Sequence, residues 1–121
     1  MEKVQSTKEI FLYIDQNSFL RNTFEIAFKE KEVAVYTLAT LLGNEYLITE
    51  LNPKLIVFDL ESCKLNSAQL ASISKEIQLL AVGDESTFDD FQKSVNFRKI
   101  HFLKRPFIAK DLTSIILKFF S

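Results

Sequence analysis

The sequence predicts an α/β domain built on a five-stranded parallel sheet. Three observations predict it. Short apolar runs that stop abruptly at polar residues recur along the chain. Helix-spaced amphipathic segments fall between them. The two patterns alternate five times, which implies a parallel sheet with helices on both faces and right-handed crossovers. The chain has 121 residues, 47% of them apolar, including 12 Phe and no Trp. That is enough for one domain and too little for two, so residues 1–121 are expected to form a single unit.

The first strand is Ile10-Phe11-Leu12-Tyr13-Ile14, which ends at Asp15-Gln16-Asn17-Ser18. An unbroken apolar run of this length reads as a strand buried on both faces. Leu20, Phe24, Ala27 and Phe28 then share one helix face, with Asn17 or Ser18 as the cap. Val33-Ala34-Val35-Tyr36 is a weaker second strand, and Tyr46, Leu47 and Leu51 mark a short helix after Gly43. Leu55-Ile56-Val57-Phe58 is the third strand, ending at Asp59. Leu65, Leu70, Ile73 and Ile77 give a less regular third helix. Leu79-Leu80-Ala81-Val82 is the fourth strand, ending at Gly83-Asp84. Ser86 with Asp89 resembles a capping box and opens a helix through Phe88, Phe91 and Val95. Ile100-His101-Phe102-Leu103 is the last strand, and Leu112, Ile115, Ile116 and Phe119 form the stripe of the last helix.

Composition excludes several classes. Fifteen basic against sixteen acidic residues leave a net charge of −1, which argues against a basic nucleic-acid surface. Cys63 is the only cysteine, so no internal disulfide forms and a reducing, cytoplasmic setting is expected. The stretch from Met1 to Glu9 is polar and lacks an apolar signal core. No apolar run reaches the roughly 20 residues of a membrane-spanning helix. The expectation is a cytosolic globular protein, or one domain of a longer chain.

An open parallel sheet binds ligands beyond the carboxyl ends of its strands, where strand order reverses. Those positions hold Asp15, Gln16, Asp59, Gly83, Asp84 and Lys104-Arg105-Pro106-Phe107. Two carboxylates at one edge suit a hard cation such as Mg2+. An Asp carboxylate is also a nucleophile toward phosphoryl donors, and a cation from Arg105 or Lys104 would stabilise the charge of that transfer. The plain readings stand beside these. Asp59 and Asp15 are common turn and cap residues, His101 is a lone strand histidine, and Cys63 is a packing or loop residue.

Taken in order, the segments resemble the receiver domain of two-component response regulators, from about Glu9 to Phe120. Phe11-Leu12-Tyr13-Ile14-Asp15 resembles the family's first strand and the start of its acidic pair. Gly43-Asn44-Glu45-Tyr46-Leu47 resembles the opening of its second helix. Pro53-Lys54-Leu55-Ile56-Val57-Phe58-Asp59-Leu60 resembles its phosphoacceptor segment, with Asp59 in the acceptor place. Leu79-Leu80-Ala81-Val82-Gly83 resembles its fourth strand, and Phe102-Leu103-Lys104-Arg105-Pro106-Phe107 its Lys-Pro-Phe segment. The resemblance implies a flavodoxin-like three-layer fold with strand order 2-1-3-4-5. It implies a signalling domain rather than an enzyme, working with a histidine kinase, an output domain or its own copy, and without nucleic-acid or membrane contact. It also implies Mg2+ at Asp15, Gln16 and Asp59, and a cis bond before Pro106.

The departures from the family fall on the pocket. Gln16 stands where the second acid is expected and brings no charge, so Mg2+ binding should be weak or lost. Gly83 stands where the family has Thr or Ser; the nearest hydroxyl is Ser86. Arg105 stands in the place of Lys, and a planar fork is not equivalent to an ammonium. Strand alternation points Lys104 the other way, so Arg105 is expected to pair with Asp59. Phe102 holds the fifth-strand aromatic position without a hydroxyl. The resemblance is therefore to an atypical or pseudo-receiver, signalling through protein contacts with phosphorylation of Asp59 reduced or absent. An ordinary Mg2+-dependent receiver is the alternative, and a flavin or nucleotide binder of the same fold a third. Leu117 and Phe120 fall off the last helix's stripe and, together with Phe102 and Ile108, are expected to form a partner surface.

Overall fold

The structure is a computed structural model, and it describes residues 8–63 and 65–120. Most of the polar N-terminal stretch lies outside the described residues. Five strands alternate with five helices: β1 (Glu9–Ile14), α1 (Ser18–Ala27), β2 (Val33–Leu38), α2 (Tyr46–Leu51), β3 (Leu55–Asp59), α3 (Ser67–Ser72), β4 (Gln78–Gly83), α4 (Glu85–Ser94), β5 (His101–Lys104) and α5 (Ala109–Lys118). The strands form one parallel sheet in the order β2-β1-β3-β4-β5, the order the sequence predicts.

Strand alternation divides the core into two layers. Leu12, Ile14, Ile56, Phe58, Leu79 and Ala81 face one way and pack with Leu47, Leu70 and Val95, from α2, α3 and the end of α4. Phe11, Tyr13, Leu55, Val57, Leu80 and Val82 face the other way and pack with Phe24 of α1 and Leu112 and Ile116 of α5. The central strands are buried on both faces, which is why they read as unbroken apolar runs.

Several element ends differ from the sequence reading, each for a local reason. The third helix covers only Ser67–Ser72, because a reciprocal Asn66–Gln69 capping box opens it and Ile73 is extended. Leu65 and Ile77 are buried but lie outside that helix. The fourth helix is capped by Asp84, not Ser86: Asp84 Oδ1 accepts from the Thr87 N–H at 2.8 Å and from Ser86 Oγ at 3.1 Å. Gly43 turns the chain into α2 at φ +82°, a conformation that favours glycine. Asn17 caps α1 by accepting from the Leu20 N–H at 3.1 Å.

The apolar excess around the fifth helix is not one surface. Phe102 lies on the α4 side of the sheet, stacked on Phe88 with ring centroids 4.4 Å apart. Leu117 and Phe120 lie on the opposite side and pack against the second core layer, Phe120 at 6.4 Å from Phe11. Only Ile108 of the four stands clear, at 62% exposed. The physical reason is that α5 stops at Lys118, and the turn after it folds Phe119 and Phe120 back onto the sheet.

Candidate functional site

Strand order reverses between β1 and β3, and these two strands deliver the two acids. Asp15 follows the last residue of β1, and Asp59 is the last residue of β3. Both are buried, and they are the only buried charged residues among those described. Burying a carboxylate is costly unless its oxygens are paired, so their partners define the site.

Asp15 is almost saturated by protein donors. Its Oδ1 accepts from the Asn17 N–H at 2.9 Å and from Ser62 Oγ at 3.3 Å. Its Oδ2 accepts from the Tyr13 hydroxyl and lies 3.6 Å from Arg105 Nη2. An ionised carboxylate offers about four lone-pair sites; three take hydrogen bonds here, and the Arg105 guanidinium faces the carboxylate from the remaining side. Burial, then the bond to Asp15 and its charge, raise the Tyr13 phenol well above its ordinary value. Tyr13 therefore stays protonated and remains a donor.

Asp59 is held at both oxygens. Oδ1 accepts from Arg105 Nη2 at 2.7 Å, and Oδ2 accepts from the Ser62 N–H at 2.9 Å. Arg105 hangs from the end of β5, where its own N–H donates to the Gly83 carbonyl at 2.9 Å. The Arg105–Pro106 bond is cis. The guanidinium carbon lies 5.5 Å from the Phe107 ring centroid, within cation–π range. Burial alone would lower the Arg105 pKa; its bond to Asp59 and the charge of Asp59 outweigh this and raise it. Arg105 is thus locked as a cation between two anions.

The remaining strand-end residues do not join this cluster. Lys104 points to the other side and lies 3.8 Å from Glu85, both ends exposed, a pair worth little. Ser86 spends its hydroxyl on Asp84. Gly83 is where the resemblance places a hydroxyl side chain, and a Cβ there would lie 3.1 Å from Leu60 Cδ1 and 3.2 Å from Leu60 Cβ. Leu60 fills the space such a side chain would need. Gln16 is exposed, and its N–H donates to Ser62 Oγ at 3.2 Å. Cys63 is buried with its Sγ donating to the Ile14 carbonyl at 3.1 Å, and burial pushes its thiol up to about 11. His101 packs edge-on against Phe119.

The donor set does not fit Mg2+. That ion needs near-octahedral oxygen ligands and usually takes carboxylates with free lone pairs. Here Asp15 already accepts three hydrogen bonds, Gln16 contributes no charge, and the Arg105 guanidinium already stands between the acids. Among the described residues, no group of three or more His, Cys, Asp or Glu is placed to hold a metal ion.

Sequence reasoning missed Tyr13, Ser62 and Arg21. Tyr13 and Asp15 are two residues apart and so share a strand face, and a buried tyrosine hydroxyl needs a partner; that signal was present. Ser62 follows Asp59 by three, the spacing of a side chain accepting a turn N–H. Arg21 donates from α1 to the Asp15 carbonyl at 2.7 Å, which only the folded helix reveals. The acids, Gln16, Ser62 and Arg105 line an open cleft of about 630 Å3.

No family model matches this chain, and no curated protein matches it. Solved structures do. NtrX from Brucella abortus superposes with a TM-score of 0.71 at 15% identity over 93% of this chain, which spans 26% of that protein. The chemotaxis response regulator CheY4 of Vibrio cholerae gives 0.75 at 16% identity, over 93% of this chain and 99% of that one. The orphan response regulator of H. pylori gives 0.73 at 21% identity, over 93% and 97%. The chain has the flavodoxin-like fold that these structures share.

Proposed function

We propose that this chain is a receiver-like signalling domain of a two-component system that acts through protein contacts, with phosphorylation of Asp59 reduced or absent. It is a signalling module, not an enzyme, and its partner is a histidine kinase, an output domain or a second copy. One observation carries the reading. The acceptor position is kept at the reversal of strand order, while the Arg105 guanidinium holds Asp59 Oδ1 at 2.7 Å. The other groups that phosphoryl transfer would call on are replaced as well, by Gln16 and by Gly83 packed under Leu60. Ile108 supports a contact surface at the start of α5, and Phe19 and Ile26, seven residues apart on α1, expose a second apolar strip.

Intact-mass measurement after incubation with acetyl phosphate and Mg2+ tests the reading. The expected spectrum shows the unmodified chain. A phosphoryl adduct that disappears in Asp59→Asn would establish an ordinary receiver instead. That alternative draws support from the open cleft, which leaves Asp59 reachable from solvent.

A further inference from the structure

We propose that the Arg105 guanidinium stands in for a divalent cation between Asp15 and Asp59, so that the cleft takes no Mg2+, and that removing the guanidinium turns the cleft into a metal site. The inference shares its pocket with the proposed function but concerns what fills that pocket, whether or not Asp59 is ever modified.

Three observations carry it. First, one nitrogen, Arg105 Nη2, lies 2.7 Å from Asp59 Oδ1 and 3.6 Å from Asp15 Oδ2. A single positive centre therefore faces both acids, as a bound cation would. Second, the guanidinium is fixed from outside the acids as well: the Gly83 carbonyl anchors its backbone and the Phe107 ring lies beneath it. A preorganised charge loses little entropy on pairing and is hard to displace by a mobile ion. Third, the acids are otherwise prepared for a hard cation. They are buried, they come from separate strands, and the oxygens turned away from Arg105 are fixed by Asn17 and Ser62, while the Tyr13 hydroxyl also donates to the inner Asp15 Oδ2. Without the guanidinium, the cleft would present two oriented carboxylates and room for water, which is what Mg2+ or Mn2+ commonly uses.

Charge counting gives the same sign. Two carboxylates and one guanidinium leave the cluster at −1, so an incoming dication must displace or oppose a fixed cation. Without the guanidinium the cluster is −2 and attracts it.

Backbone amide spectra of the full chain, titrated with Mn2+ as a paramagnetic probe, test this. The native protein is expected to show no localised broadening at equimolar Mn2+. Arg105→Met is expected to broaden residues 15–17 and 59–62, reversibly with excess Mg2+, with affinity raised by roughly tenfold or more. Adding Asp59→Asn to that variant should abolish the broadening, and Arg105→Lys should behave as native. Arg105→Gln, uncharged but polar, carries the same expectation if Arg105→Met fails to fold. Asp59-dependent broadening in the native chain overturns the inference, as does a folded uncharged variant that stays unbroadened. A native chain that binds Mn2+ in the cleft yet takes no phosphoryl group would overturn this inference alone and leave the proposed function standing.

Discussion

Two arginines hold opposite edges of the sheet by different physics. At the carboxyl edge, Arg105 pairs with two buried carboxylates. At the amino edge, Arg98 meets no acid among the described residues. Its Nη1 donates to the carbonyls of Leu70 at 3.2 Å and Ile73 at 2.8 Å, and its Nη2 to those of Ser74 at 2.8 Å and Ile77. These carbonyls belong to the end of α3 and the loop into β4, where helix termination leaves acceptors without partners. The electrostatics follow suit. Burial lowers the Arg98 pKa with nothing to oppose it, whereas the bond and charge of Asp59 outweigh burial at Arg105 and raise it. The difference teaches that Arg98 is used for the geometry of its fork and Arg105 for its charge.

Replacing Arg105 should have the largest effect. Arg105→Met leaves two carboxylates facing each other, and a cost of about 2–3 kcal/mol is expected, below the full buried-pair value because the guanidinium is 31% exposed. Urea denaturation measures it. Combining it with Asp59→Asn should recover a large part, and Arg105→Lys should lose less than half as much. If Arg105→Lys is as damaging as Arg105→Met, charge is not what Arg105 supplies.

Arg98→Met comes next, at about 1–2 kcal/mol, since water can reach some of the freed carbonyls. Here Arg98→Lys should be nearly as costly, because one ammonium cannot serve four carbonyls in a plane. An Arg98→Lys variant close to native stability would erase the distinction between the two edges.

The smallest effect concerns His101, which forms no ion pair among the described residues. Burial, and then the charge of Lys99, hold its pKa below the ordinary 6.5. The fold thus favours neutral imidazole, and the unfolded chain binds the extra proton. Stability is complete above pH 6.5 and declines as pH falls through the lower folded value. The stability difference between native and His101→Phe proteins, read from melting curves, should therefore be constant above pH 6.5 and shift in favour of His101→Phe as pH falls from there towards 5. A constant difference across that range would show that His101 does not titrate differently in the fold.

The sheet was legible because its central strands are apolar on both faces, and the acids because they stand where those strands stop. Arg105 was legible through its place before Pro106. Arg98 was not, because its partners lie 21 to 28 residues away and are backbone atoms that leave no mark in sequence. Sequence points to Ser86 instead of Asp84 as the cap of α4, because β4 runs to Gly83, one residue past its apolar run, and sets the helix start earlier. Phe120 reads as spare apolar surface because a helical wheel does not foresee a turn that folds back onto Phe11.

The central claim, that Arg105 already closes the Asp15–Asp59 edge, is tested most directly by amide shift mapping with beryllofluoride and Mg2+, which mimic a phosphoryl group on aspartate. Residues 59–62, 83, 84 and 105 are expected to keep their native shifts throughout the titration. Saturable shifts at those residues, lost in Asp59→Asn, would contradict it.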